Sequence, residues 1–270
     1  MIKGYATPAG TKRYMSTKGM PVDVGSNEHL SLSRIALGTH LGEMNDEDSQ
    51  RYQEAIRYAL SNGINFIDTA LNYRGMRSEQ DIGKVLKALI IDEHVLDRSE
   101  VFISTKAGII PGDIDAGLVP TAYLQKILLD QGIIKKEDLH YVGHQKHVMI
   151  PTYYEFAIEQ SRLHLGLETL DLHYIHNPEL SMISLGSERF YKELEVLFDF
   201  YEGKAEKGSL RYYGLATWDA FLLNPDQSGY ISLEKVKQLA VALSGPSHHF
   251  NTVQLPYSLY RQDAATKRNQ

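Results

Sequence analysis

From about Leu32 onward, short apolar runs alternate with stretches whose apolar residues recur every third or fourth position. Short runs suit buried strands, and the wider spacing suits helices with one apolar face. Strands are expected at Arg34–Gly42, Ile64–Ala70, Val101–Lys106, Leu170–His176, Tyr212–Thr217 and Thr252–Ser258. The first helix should bury Tyr52, Ala55, Ile56, Ala59 and Leu60, and close at Gly63. A second should open on Ser78 as N-cap, with Asp81 three residues on, and bury Ile82, Val85, Leu86, Leu89 and Ile90. Thr152 and Glu155 read as a capping box for a third helix, which Gly166 ends. A fourth carries Phe190, Leu194, Leu197, Phe198 and Tyr201 to Gly208, and a fifth runs from about Leu233 to Leu243.

Such alternation specifies an α/β fold, a parallel sheet covered by helices. No GxGxxG or GxxxxGK turn follows any strand, which argues against a doubly wound nucleotide-binding sheet. Polar residues gather at strand ends instead. That is the habit of the TIM-type (β/α)8 barrel, whose active site is built from the C-terminal ends of its strands. About six strand-helix units are legible. Residues 1–32 read as an N-terminal extension, a hairpin closing the lower mouth of a barrel domain spanning residues 33–270. A long segment after strand three, Ala107 to Pro151, holds a short helix near Ala122 to Asp130. It is placed to cover a substrate or to dock another subunit.

Composition narrows the function. With 43% hydrophobic and 23% charged residues the chain reads as globular. A net charge of -6 with no basic block makes nucleic acid and anionic membrane poor partners. There is no cysteine, so thiol nucleophiles and thiolate metal sites are excluded. The first residues lack the apolar core of a signal peptide and no apolar run reaches a membrane span, so the expected location is cytoplasmic.

Asp68 ends strand two, Lys106 strand three and His176 strand four, with Tyr73 in the loop after strand two. Singly, each has an ordinary explanation as cap, surface cation or core histidine. Together they permit one chemistry. A nearby ammonium lowers the pKa of a phenol and makes it a better proton donor, a carboxylate holds the ammonium in place, and an imidazole hydrogen-bonds an oxygen gaining charge. His140, His144 and His147 have a spacing that could bind metal on a helix, but Tyr141, Val142 and Gly143 interrupt the helical signal and a loop is expected. His173 and His176 point to opposite faces of a strand and cannot share a metal. No metal site is expected.

DTALNYRGMRSE, STKAG, DLHYIHNPE and RYYGLATW resemble the successive signatures of the aldo-keto reductase superfamily, over roughly Ser33 to Ser258. The resemblance implies NADPH-dependent reduction of an aldehyde or ketone, with Tyr73 as general acid, Lys106 and Asp68 tuning it, and His176 orienting the carbonyl. It implies cofactor contacts at Gly38, Thr39, Asp68, Thr217 and Gln254. The family's Ser-Asn at the end of strand five is replaced by Ala216 and Thr217. The family barrel has eight units, so this chain is expected to be the N-terminal portion of a longer protein. The alternative function is a regulatory or binding subunit of low activity on the same fold.

Overall fold

Each of the six apolar runs becomes a strand, and helices cover the intervals between them. The computed structural model describes residues 1–21 and 29–269. In chain order the elements are α1 (Pro8–Thr17), β1 (Leu37–Gly38), α2 (Asp46–Ser61), β2 (Phe66–Asp68), α3 (Arg77–Leu86), β3 (Phe102–Ala107), α4 (Pro120–Tyr123), β4 (His140–Val142), β5 (Gln145–His147), α5 (Pro151–Leu165), β6 (Leu170–His176), α6 (Glu179–Leu185), α7 (Ser187–Glu206), β7 (Leu210–Ala216), α8 (Leu233–Ser244), β8 (Phe250–Gln254) and α9 (Asp263–Thr266). The six-stranded parallel sheet has the order β1-β2-β3-β6-β7-β8, and β4 and β5 form a separate antiparallel hairpin. Every residue of β3 and β6 is buried, as central parallel strands covered on both faces require. No helix among the described residues is long and apolar enough to cross a membrane.

The described residues fall into two compact units. The first comprises Met1–Thr105, Pro111–Thr121 and Ile158–Leu172. Its N-terminal segment departs from the expected hairpin: Pro8–Thr17 is a helix, with Thr7 accepting the N–H of Gly10 and a proline in the first turn. Tyr14 decides its docking. The ring is buried, and its hydroxyl donates to the Leu60 carbonyl at 2.8 Å. The Ala6 N–H donates to Asp171 at 2.7 Å, and Arg98 closes a buried ion pair with the same carboxylate at 2.7 Å. Residues 22–28 of the expected extension lie outside the described residues.

The helices α2 and α3 bury most of their expected faces, Ile56, Ala59 and Leu60 on one and Ile82, Val85 and Leu86 on the other. Ala55 is exposed. The expected N-cap at Ser78 is wrong. Ser78 lies inside α3, and its hydroxyl donates to the Thr39 carbonyl at 2.8 Å. A 3-10 turn, Tyr73–Met76, occupies the helix entry and makes Met76 the cap. Asp81 serves Arg74 instead of a cap. Gly83 is needed for packing, because a Cβ there would lie 2.1 Å from the carbonyl oxygen of His164.

The second unit comprises Lys106–Ile110, Ala122–Ala157 and His173–Gln270. Its core is aromatic. Tyr201 stacks on Tyr213 at 4.9 Å between ring centres, and Phe198 stacks on Phe250 at 5.3 Å. The expected fourth helix is α7. A short helix that the pattern missed, α6, precedes it, and Gly186 at φ 74 joins the two. The short helix expected near Ala122 is α4 continued by a π-helical turn, Leu124–Leu129.

Candidate active site

The first unit holds Gly38, Thr39, Asp68 and Tyr73. Gly38 pairs with Asp68 across β1 and β2, and Asp68 pairs with Ser104 across β2 and β3. This register sets the carboxylate beside the Ser104 hydroxyl, which donates to Asp68 Oδ1 at 2.6 Å. Ser104 is the residue that sequence reasoning missed. Its signal was available: Ser104 and Lys106 are two apart on one strand and share a face. Thr105, on the opposite face, donates to buried Glu79 at 2.6 Å.

Thr39 is fully buried, and both its N–H and its hydroxyl donate to the Asp68 carbonyl at 3.2 Å. Its side chain therefore locks the ends of β1 and β2 together. Above Gly38, by contrast, a Cβ would meet open space.

Tyr73 opens the 3-10 turn, its N–H donating to the Ala70 carbonyl at 3.1 Å. The ring of His40 lies against it with centres 4.6 Å apart. Burial pushes the Tyr73 phenol well above the ordinary tyrosine range, and the negative charge of Asp68 pushes it further. The sequence predicts a phenol tuned downward; here desolvation of the phenolate dominates. Arg74 follows in the left-handed region at φ 48. Its guanidinium donates to Asp81 at 2.8 Å, Ser49 at 3.0 Å and the Glu43 carbonyl at 3.0 Å, over the ring of Tyr52. This buried clamp fixes the turn on which Tyr73 stands.

The second unit holds Lys106, His176, Thr217 and Gln254. Lys106 is 1% exposed near the end of β3. The next residue is anchored by Tyr154, whose hydroxyl donates to the Ala107 carbonyl at 3.1 Å. Burial, and then the charge of Lys106, hold the His173 imidazole down to a pKa of about 3. His173 is thus a neutral core residue, bonded through Nδ1 to the Tyr201 hydroxyl at 2.7 Å.

His176 ends β6 and is buried. Ala216 pairs with Gln254, and the Thr217 N–H donates to the Gln254 carbonyl at 2.9 Å. The Thr217 hydroxyl accepts the Ala220 N–H at 3.1 Å and also hydrogen-bonds Glu179, whose carboxyl burial pushes above its ordinary range. The hydroxyl is thereby committed within the protein. His140 and His147 face each other across the β4–β5 hairpin, where a loop was expected. Among the described residues, no cluster of three or more His, Asp or Glu side chains could hold a metal ion.

Asp68 ends β2, Lys106 is the last residue but one of β3, and His176 ends β6. The chain belongs to the aldo/keto reductase family, whose pattern matches residues 34–267. A holo aldo-keto reductase from Bacillus halodurans superposes with a TM-score of 0.53 at 19% identity, over 88% of this chain and 57% of that one. A glycerol dehydrogenase from Gluconobacter oxydans gives 0.52 at 22%, over 87% and 54%. An aldo/keto reductase from Klebsiella pneumoniae, solved in complex with NADP and acetate, gives 0.50 at 17%, over 84% and 56%. These likenesses concern the fold. The chain spans little more than half the length of the structures it matches. No curated protein matches it in sequence.

Proposed function

We propose that this protein reduces the carbonyl of a small aldehyde or ketone, with NADPH as hydride donor. One observation carries the reading: the family match spans residues 34–267, a range in which the sequence resemblance implies Asp68, Tyr73, Lys106 and His176 as the acting residues. NADPH, when bound, supplies the hydride to the carbonyl carbon. Tyr73 gives its phenolic proton to the carbonyl oxygen, so that an alcohol is formed and the charge balances. The raised pKa of Tyr73 keeps that proton in place at neutral pH. On this reading Lys106 and Asp68 tune the phenol and His176 orients the carbonyl.

The fit to the cofactor is uneven. Gly38, with open space above it, half-buried Gln254 and the Asp68 carboxylate suit contacts to NADPH. Thr39 and Thr217 spend their hydroxyls on the protein and act there as struts. That commitment of Thr217 favours a second reading, a subunit that keeps the fold and turns over little. Tyr73→Phe separates the two. For a reductase, the variant should lose NADPH oxidation against a panel of aldehydes while fluorescence titration with NADPH is unchanged. Equal turnover by variant and parent would reject Tyr73 as the acid, and a parent with no turnover favours the binding subunit.

A further inference from the structure

The residue two positions beyond Lys106 is Gly108, at φ 142. A Cβ there would lie 2.4 Å from His147 Nε2, 2.8 Å from the His176 carbonyl oxygen and 3.0 Å from the Tyr154 hydroxyl. Only glycine leaves room for the imidazole of the β4–β5 hairpin to reach the end of β6. The hairpin is pinned there by backbone bonds, with Val148 donating to Gly108 at 3.0 Å and Ile110 to Lys146 at 3.3 Å.

His147 is fully buried, and its Nε2 lies 2.7 Å from the His176 carbonyl oxygen. A carbonyl only accepts, so Nε2 carries the hydrogen. Burial holds the His147 pKa down to about 3, so the ring is neutral and Nδ1 is a bare acceptor. Nδ1 is 2.6 Å from the Ser181 hydroxyl, which therefore donates to it. Ser181 has a single hydrogen to give. His140 Nδ1, also 2.6 Å from that oxygen, must in turn be the donor to it. The bonds thus run one way, from His140 through Ser181 and His147 to His176. The Glu193 carboxylate stands 3.5 Å from the far nitrogen of His140.

The peptide joining His176 to Asn177 is held at both of its polar groups. Its carbonyl accepts from His147, and its N–H donates to the Ala216 carbonyl at 2.7 Å. Its plane fixes how the chain leaves β6, and with it the backbone that carries the His176 side chain. Asn177, at φ 54, begins the turn immediately beyond.

We propose that His147, held between Ser181 and the His176 carbonyl, is a positioning residue for His176, through which the segment between β3 and α5 governs carbonyl orientation. The proposal rests on the reading of His176 as the group that orients the carbonyl. Loss of Ser181 leaves Nδ1 of the buried His147 ring without its donor, which loosens the ring and its hold on the His176 carbonyl.

Two measurements test this on the whole protein. In steady-state aldehyde reduction, Ser181→Ala and His147→Leu should lower kcat about tenfold or more, the cost of a slightly misplaced group. The NADPH dissociation constant should stay at the parent value. His147→Gln, which can still donate to the carbonyl, should recover most of the rate. Equal damage from Gln and Leu, or an Ala variant indistinguishable from the parent, would overturn the proposal. Nitrogen NMR of the histidine rings reads the same claim without turnover. The parent should show His147 protonated on Nε2 and His140 on Nδ1, and Ser181→Ala should shift the His176 ring signals. The opposite His147 tautomer, or an unmoved His176, would overturn it. A parent without reductase activity defeats the catalytic reading alone and leaves the NMR result to decide the positioning.

Discussion

The Ser104 hydroxyl donates to the Asp68 carboxylate at 2.6 Å across two neighbouring parallel strands. A hydrogen bond to a charged group is worth about 1.5–3 kcal/mol, and more is lost when the acceptor is left buried without it. Asp68 is half-buried and water can replace part of the lost bond, so Ser104→Ala should cost about 1–2 kcal/mol, at or below the lower end of that range. Urea denaturation should show the midpoint falling with an unchanged slope. An unaltered midpoint would mean that the serine contributes nothing to holding the carboxylate.

Arg74 and Asp81 form an ion pair in which both side chains are only 1% exposed. Removing one partner strands a charge in the interior, so Arg74→Met should destabilise by about 3–5 kcal/mol. Replacing both, with Asp81→Leu added, should recover much of that loss. A double variant no more stable than the single one would show that packing, not the stranded carboxylate, sets the cost. Because Arg74 adjoins Tyr73, the single variant should also reduce turnover more than NADPH binding.

Stability should have a plateau bounded by opposite titrations. His147 and His173 have folded pKa values held down to about 3 by burial. Their stabilisation is complete above the unfolded histidine value of about 6.5 and drains as pH falls toward the folded one. Tyr14 is pushed up to about 12 by burial. Its contribution is complete below the ordinary tyrosine value of about 10 and is lost as pH rises through the folded one. Thermal midpoints should therefore decline on both sides of that plateau, with tyrosinate absorbance rising on the alkaline limb together with unfolding. A midpoint that stays level from neutral pH down through the acid range would contradict the burial of the two histidines.

The Tyr73 phenol is shifted in the same direction as that of Tyr14. Its raised pKa predicts no loss of reductase activity from phenol ionisation as pH passes through the ordinary tyrosine range, so far as the fold survives. A pH–rate profile falling at that point while circular dichroism stays native would place the acid elsewhere.

What could be read along the chain is what local spacing dictates. The runs that became β6 and α8 were visible because a buried strand needs an unbroken apolar run and a helix an apolar stripe, both encoded within a few residues. Asp68, Lys106 and His176 were legible for the same reason, as polar residues interrupting those runs. β1 was overestimated, because Arg34–Gly42 is apolar enough for a strand but pairs with β2 only at Leu37 and Gly38. The folded chain alone decided what distant groups do to one another. Ser78 donates to Thr39, the Thr217 hydroxyl is spent on Ala220 and Glu179, and the N-terminal segment forms a helix held by Leu60 rather than a hairpin. A hydroxyl or imidazole has no fixed partner in sequence. Its bond is settled by whichever donor or acceptor folding leaves within reach, and by the cost of burying either one without a partner.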